Sequence, residues 1–367
     1  MAKKIGIIDA DLLDNGTRHP NLALMKISGY QKELGNDVTL LEDYYTISEY
    51  DDVYLSRVFD FTQVPDHLKD PEAVREKYPH LHLGGTGYFW TEAPDLPPEI
   101  EHHMPDYHLY DEYVGKQIAR GIKPQTYSDY MDYSIGFTTR GCFRKCSFCV
   151  NQKYNHVFRH SPIREFFDPS RKHIYLWDDN FFGFPKWQEV LDELEETGRR
   201  FQFRQGLDVR LMTEEKAKRL ARVKYHGDYI FAFDHIDEAE QVRRGLEIWR
   251  RYSDKSTKLY VLSGFESQGA EEIASIFERI RILMEYQCLP YIMRHEYYNQ
   301  SPYKGMFITL ARWCNQPNFL KKKSFRQFCE ANGLTSSAYR YMSQFEHDYP
   351  DIAGKYFDIR FDRRGEK

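Results

Sequence analysis

The sequence lacks long apolar runs and has few cysteines. No segment approaches the roughly 20 consecutive apolar residues that a membrane span needs, and the first residues lead directly into a predicted strand instead of a signal peptide. Its six cysteines are not spread along the chain in the regular framework of a disulfide-rich secreted protein. These absences predict a cytoplasmic protein, without a membrane partner, that keeps its cysteines reduced.

Excess positive charge is also missing. The formal net charge of the 367 residues is −5, which argues against bulk binding of nucleic acid. No appended RNA-binding module is visible, so nucleic acid is not indicated as a partner. Aromatic residues, by contrast, are plentiful, with 28 Tyr, 25 Phe and 5 Trp. We favour a large aromatic core over an aromatic-lined cavity as their explanation.

Half of the cysteines stand in one short segment. Cys142, Cys146 and Cys149 follow a C-x3-C-x2-C spacing, and three thiolates this close can bind three irons of a cubane iron–sulfur cluster while the fourth iron stays open. Gly141 allows a tight turn, and the basic pair Arg144–Lys145 offsets the charge of a thiolate-bound cluster. Two alternatives remain: one face of a buried helix, or a zinc site completed by a fourth ligand.

The cysteine spacing resembles that of the radical S-adenosylmethionine (SAM) superfamily, in which SAM chelates the open iron. The resemblance implies a [4Fe–4S] cluster on the three cysteines, with Phe148 among the cofactor contacts. It further implies an enzyme that cleaves SAM reductively to a 5′-deoxyadenosyl radical, which abstracts hydrogen from a substrate that the sequence does not identify. A flavodoxin- or ferredoxin-like protein is the expected reductant. A non-catalytic iron–sulfur electron-transfer protein is the alternative from another class.

The N-terminal part predicts a parallel, Rossmann-like sheet. Predicted strands cover residues 4–10, 37–41, 52–56 and 81–83, with a polar loop at 14–18 and a helix at 21–34. This order resembles the cobalamin-binding domain that often precedes a radical SAM core, with Ser56 and Gly84–Gly85 near its ligand loops. No Asp-x-His-x-x-Gly segment follows the first strand. A cobalamin-dependent radical SAM methyltransferase is therefore an alternative, and a scaffold without cobalamin is favoured.

A second α/β series follows a proline-punctuated linker. Six strand–helix units between Ser134 and His295 match the partial (β/α)6 TIM barrel of a radical SAM core, with its first strand at 134–139 and its third at 201–210. Predicted helices then form a C-terminal extension at 305–313, 324–331 and 335–349, followed by a basic tail. The predicted domains are therefore 1–125, 126–300 and 301–367.

Two carboxylates follow the second strand of the predicted core. The resembled family has a polar or acidic element here that meets the ammonium group of SAM. Because side chains alternate along an extended segment, Asp178 and Asp179 should point in different directions. We expect one of them to bind SAM and the other to cap the next helix, which begins near Pro185.

Polar residues also follow the third strand. The resemblance implies that Gln205, Asp208 and Arg210 face SAM or substrate, with an Asp208–Arg210 salt bridge as the structural alternative. After the fourth strand, Asp234–His235 stands where many radical SAM proteins carry a glutamate. No catalytic residue is assigned.

For two further groups of residues we predict structural roles. The basic, aromatic stretch at 151–167 is interpreted as surface rather than as a contact for an anionic substrate. Cys288, Cys314 and Cys329 are too widely spaced for a second cluster motif, and we predict that they are buried core residues.

Overall fold

The computed structural model describes residues 2–361. By their internal contacts these residues form two compact units. The first comprises the chain up to Asp179 together with Lys186–Phe201, and the second comprises Asn180–Pro185 together with the chain from Gln202 onward. The border lies inside the series of core strands, so the division into 1–125, 126–300 and 301–367 stays a prediction.

The first unit begins with a four-stranded parallel sheet, which confirms the predicted Rossmann-like element. Its strands are β1 (Lys4–Asp9), β2 (Asp37–Leu40), β3 (Asp52–Ser56) and β4 (Leu81–Gly84), in the order β2-β1-β3-β4. Ile5, Ile7 and Ile8 of β1 are fully buried. This run is apolar on both faces because β1 lies inside the sheet, with helices and loops covering it.

The helices of the first unit are α1 (Ala10–Asn15), α2 (Leu22–Glu33), α3 (Pro71–Lys77), α4 (Thr86–Phe89), α5 (Pro98–Glu101), α6 (Asp111–Ala119), α7 (Ser128–Met131) and α8 (Trp187–Glu196). Two of them match the sequence prediction: α2 for the helix at 21–34 and α8 for the helix beginning near Pro185. The polar loop predicted at 14–18 begins only at Gly16, because α1 extends to Asn15. The Asp9 carboxylate accepts a hydrogen bond from Leu12 N–H at 3.1 Å and so caps this helix, and Gly16 ends it in the left-handed region at φ 59°.

Four core strands also belong to this unit: β5 (Tyr133–Gly136), β6 (Thr139–Arg140), β7 (Phe158–Arg159) and β8 (His173–Leu176). The next strand, β9 (Arg200–Phe203), crosses the border between the units after Phe201. β5 pairs with β8 in parallel, and the sheet order is β5-β8-β9. The predicted strand 134–139 was too long: it stops at Gly136, and Thr139–Arg140 forms a separate antiparallel pair with β7.

The second unit contains three further parallel strands, β10 (Tyr229–Ala232), β11 (Thr257–Ser263) and β12 (Leu289–Arg294). Helices α9 (Glu214–Arg222), α10 (Ala239–Tyr252) and α11 (Ala270–Glu285) accompany them. The predicted strand 201–210 was wrong beyond Phe203. Gly206 has φ 92°, and Asp208 accepts a hydrogen bond from Arg210 N–H that begins a single turn. Strand and helix alternate here as the barrel prediction requires.

A helical extension completes the described chain, as predicted. It consists of α12 (Lys304–Cys314), α13 (Pro317–Leu320), α14 (Phe325–Ala331), α15 (Ser337–Asp348) and α16 (Pro350–Tyr356). Cys288, Cys314 and Cys329 are at most 1% exposed, which confirms them as core residues. The predicted basic tail lies outside the described residues. No helix among residues 2–361 has the length and apolar character needed to cross a membrane.

Candidate functional site

The three clustered cysteines lie on a loop between β6 and β7. The helical alternative was wrong, because the segment is irregular apart from a turn in which Cys149 N–H donates to the Cys146 carbonyl at 3.0 Å. All three cysteines are half-buried. Two backbone amides reach their sulfurs: Arg144 N–H contacts Cys142 Sγ and Asn151 N–H contacts Cys149 Sγ, each at 3.4 Å. Such donors favour the thiolate form that metal binding requires.

Asp178 fixes the junction between β5 and this loop. Its carboxylate accepts hydrogen bonds from the backbone amides of Thr138 and Thr139, at 3.1 and 2.6 Å, and from their hydroxyls, at 2.5 and 2.6 Å. The side chain is buried, and burial raises the pKa of Asp178 against the opposing effect of these donors. A carboxylate has about four acceptor positions, so Asp178 is occupied within its own chain.

Asp179 binds the loop itself. Its carboxylate accepts from Gly141 N–H at 2.7 Å and from Asn151 Nδ2 at 2.8 Å, and it pairs with Arg140 at 3.3 Å. Neither aspartate caps the next helix: α8 begins after Lys186, where no side chain provides a cap. The capping prediction was therefore wrong. The prediction that one of the two carboxylates meets the SAM ammonium stays a prediction.

Side chains beyond the last cysteine close the loop from the other side. Gln152 Nε2 donates to the carbonyls of Cys146 and Cys149, at 2.7 and 2.8 Å. Lys145 Nζ donates to the carbonyls of Gln152 and Tyr154, at 2.6 and 2.8 Å. Lys145 thus links the two arms of the loop as well as bringing the positive charge expected of it.

Glycine is required at the start of the loop. Gly141 has φ 87°, and a Cβ atom built on it would stand 2.2 Å from the His156 carbonyl oxygen. The sequence predicted a tight turn at this residue, which the structure confirms. It gave no signal for Thr138, Thr139, Asn151 or Gln152 as supports of the cysteines, and Asn151 and Gln152 stood in a stretch interpreted as surface.

The donor set fits a cubane cluster better than a single ion. Among residues 2–361, no three His, Cys, Asp or Glu side chains come together as ligands of one metal ion. A zinc site requires such convergence, whereas the three cysteines of a cubane cluster bind three different irons. Half-exposed thiols with amide donors at two sulfurs therefore match the cluster, which Cys142, Cys146 and Cys149 would hold.

The predicted site residues of the second unit form an ion-pair group. Arg210 donates to the Asp208 carboxylate through Nε at 2.7 Å and through a terminal nitrogen at 3.1 Å, and it also pairs with Glu238. The salt bridge given as the structural alternative is thus present. Gln205 is exposed on the loop between β9 and this turn. Whether these residues contact SAM or substrate stays a prediction.

A second acidic group follows β10. Asp234 is mostly buried and accepts from Leu262 N–H at 3.2 Å, and burial raises its pKa to about 6. The buried Arg279 donates to the backbone carbonyls of Asp234 and Leu262, at 2.7 and 2.8 Å. His235 Nε2 contacts the Glu266 carboxylate at 2.5 Å. Polar groups thus gather at the carboxyl ends of the strands in this unit, as in other α/β folds.

Comparison with known proteins identifies the fold. No protein-family model matches the sequence, and no curated protein matches it. The structure of the radical SAM methyltransferase TsrM from Kitasatospora setae, with cobalamin and a [4Fe–4S] cluster bound, is 12% identical, with a TM-score of 0.51 over 80% of this chain and 75% of that chain. This chain has the radical SAM fold.

Other solved structures agree to different degrees. TsrM with tryptophan substrate and the SAM analogue aza-SAM bound gives 12% identity and a TM-score of 0.51, over 79% of this chain and 73% of that chain. SuiB from Streptococcus suis gives 11% identity and a TM-score of 0.32, over 56% of this chain and 57% of that chain. At that score the likeness to SuiB does not establish a shared fold.

Within this radical SAM fold, the carboxyl ends of the N-terminal strands are occupied by polar contacts of the chain itself. Asn21 caps α2 and donates through Nδ2 to Ser56 Oγ at 2.8 Å. Tyr110, from the segment that follows the linker, donates to Asp9 at 2.8 Å and accepts from Asn21 N–H at 3.1 Å. Burial raises the pKa of Asp9 to about 6.

The loops after β3 and β4 contact each other closely. Asp11 accepts from the amides of Val58 and Phe59, at 2.8 and 3.3 Å, and from Thr62 Oγ1 at 2.5 Å. Gly85 has φ 98°, and a Cβ atom there would stand 2.2 Å from the Arg57 carbonyl oxygen. Glycine at position 85 therefore allows the two loops to approach each other closely.

Proposed function

We propose that this protein is a radical SAM enzyme that binds a [4Fe–4S] cluster through Cys142, Cys146 and Cys149 and abstracts hydrogen from its substrate. The observation that carries the proposal is the supported loop, in which three half-exposed cysteines follow a parallel strand and none is used in a disulfide. A fourth cysteine is missing from the motif, which leaves one iron of a cubane cluster for SAM.

The chain and the cofactors have separate tasks in this proposal. When bound, a reduced [4Fe–4S] cluster supplies the electron that splits SAM into methionine and a 5′-deoxyadenosyl radical. The protein binds the cluster, orients SAM and substrate, and keeps water from the reacting carbon. Phe148 and the polar groups at Asp178, Asp179, Gln205, Asp208 and Arg210 are the proposed sources of cofactor contacts.

Cobalamin fits the N-terminal sheet poorly. Of the pair Gly84–Gly85, Gly85 lies against the Arg57 backbone, and Asn21 and Ser56 hydrogen-bond to each other. The likeness to TsrM, whose structure contains cobalamin, favours the methyltransferase alternative. Since Ser56 and Gly85 are in contact with other parts of the chain, we favour hydrogen abstraction without cobalamin.

A small reductant protein and a cytoplasmic location complete the proposal. Reduction of the cluster requires an external electron donor, for which a flavodoxin- or ferredoxin-like protein is the natural class. The electron-transfer alternative needs the same partner but consumes no SAM. SAM consumption therefore distinguishes the two functions.

The deciding experiment is reductive cleavage of SAM. Anaerobically reconstituted protein is treated with dithionite and SAM, and 5′-deoxyadenosine is measured by chromatography. We expect the nucleoside from the wild type and none from a variant with all three motif cysteines replaced by Ala. An intact cluster without any nucleoside would favour electron transfer. A shifted cobalt spectrum on titration with hydroxocobalamin would instead favour methyl transfer.

A further inference from the structure

The geometry of the cysteine loop assigns a role to Asp179. We propose that Asp179 is a positioning residue that closes the base of the loop before the cluster binds. The inference rests on the proposed function, because it concerns how the chain presents its cysteines to the cluster. It gives the second carboxylate of the Asp178–Asp179 pair a role directed toward the cluster loop.

One carboxylate joins both ends of the cysteine segment. Gly141, whose amide donates to Asp179 at 2.7 Å, immediately precedes Cys142. Asn151, whose side-chain amide donates to the other oxygen at 2.8 Å, stands two residues after Cys149. The two ends of the loop are therefore held at the same side chain.

Asp179 is itself held in place by burial and by its neighbours. The Asp179 side chain is 7% exposed and its charge is balanced by Arg140. Its neighbour Asp178 is fixed by Thr138 and Thr139. Charge-assisted hydrogen bonds to a sheltered carboxylate are among the stronger polar contacts. The contact thus links the loop to the end of β8, which is paired with β5 in the sheet.

A closed loop lowers the entropic cost of cluster binding. Ordering a flexible segment opposes binding, and that cost is reduced when the chain is already held in the bound conformation. Loss of the Asp179 contact should therefore act on cluster retention. The stability of the remaining fold should change less, since the β6–β7 pair and the Gln152 contacts stay in place.

The first test replaces the carboxylate by an amide. Asp179→Asn retains the shape of the side chain but replaces the carboxylate, which accepts from both Gly141 N–H and Asn151 Nδ2, by an amide with only one acceptor oxygen. We expect the reconstituted variant to lose its cluster to a chelator about tenfold faster than the wild type, the factor expected when a hydrogen bond to a charged group is lost. Iron content, visible absorption and thermal unfolding of the cluster-free protein are measured together.

The second test exchanges the two partners. In the double variant Asp179→Asn with Asn151→Asp, the amide at position 179 can donate to a carboxylate at position 151 while its oxygen still accepts from Gly141. We expect cluster retention to return toward the wild-type rate. Asp95→Asn is the control, because it removes a charge from an exposed pair with Lys153 without touching the loop base.

The outcomes separate this inference from the proposed function. A wild type that takes up no cluster contradicts the proposed function. A wild type that holds a cluster, with Asp179→Asn retaining it as firmly, overturns the role of Asp179. Equal cluster loss in the single and double variants also overturns it. If Asp179→Asn does not fold, Asn151→Ala breaks the same contact from its other side and decides the question.

Discussion

Two sheet edges of the first unit each carry a pair of aspartates that hold a neighbouring loop, but the two loops differ in function. At the N-terminal sheet, Asp9 ends β1 and Asp11 follows it, and the two accept hydrogen bonds from backbone amides of α1 and of the loop after β3. At the core sheet, Asp178 and Asp179 follow a strand and accept from amides of the loop after β5. In each case a pair of carboxylates satisfies donors that would otherwise lack partners.

The difference lies in what the held loops carry. The N-terminal loops pack with their backbones in close contact, where Gly85 lies beside the Arg57 carbonyl. The core loop instead presents three half-exposed cysteines. The comparison teaches that equivalent positions in two α/β sheets do not imply equivalent ligands, because the fold supplies an edge and the loop supplies the chemistry.

Removing the cysteines should have the largest effect. With Cys142, Cys146 and Cys149 all replaced by Ala, iron content after reconstitution should fall from about four atoms per chain to nearly none. Replacing Cys288, Cys314 and Cys329, all buried in the second unit, should leave iron binding in place. Iron and sulfide analysis checks the pair. Loss of iron only in the second variant would show that the ligand assignment is wrong.

Replacing Gly85 at the N-terminal sheet edge should have the next largest effect, a loss of unfolding free energy. Gly85→Ala forces a side chain into a backbone conformation of φ 98° and ψ 155° and against the Arg57 carbonyl, which should cost about 3 kcal/mol of unfolding free energy. Gly84→Ala is the matched control, because nothing lies within 4 Å of its added Cβ. Denaturant unfolding measures both. Equal stabilities would show that the two loops separate readily.

Asp9 should make the stability of the first unit depend on pH. Its pKa is raised from 3.8 to about 6 in the folded state. The unfolded chain therefore loses its proton first, and stability falls as pH rises from about 4 to 6, by roughly 3 kcal/mol. Asp9→Asn should flatten this part of the curve. Unfolding free energies measured at several pH values check it, and an unchanged slope would contradict the assignment.

The smallest expected effect concerns Ser56. Ser56→Ala removes the acceptor of the Asn21 side chain, which should lower stability by about 1 kcal/mol. Cluster content should stay at the wild-type value, because this edge does not support the cysteine loop. Thermal unfolding and iron analysis test the two parts separately. A loss of iron would mean that the edges are coupled.

Much of the fold was readable from local patterns. Alternating apolar strands and helices with clear stop signals predicted the N-terminal sheet, the βα series and the helical extension, because these elements follow from periodicity and chain breakers. Errors occurred at strand ends. Residues 137–138 and 204–210 look extended in sequence, but a buried carboxylate and the positive φ of Gly206 turn the chain there.

The sequence by itself determined the chemistry that the loop offers, since three cysteines at this spacing are sufficient to predict a cluster. Only the tertiary structure decided what Asp178 and Asp179 bind. Both alternatives considered for them were local or borrowed from the resemblance, whereas their observed partners lie 28 to 40 positions earlier in the chain. A carboxylate carries no mark of its partner, and packing of β5 beside β8 brings the two segments together.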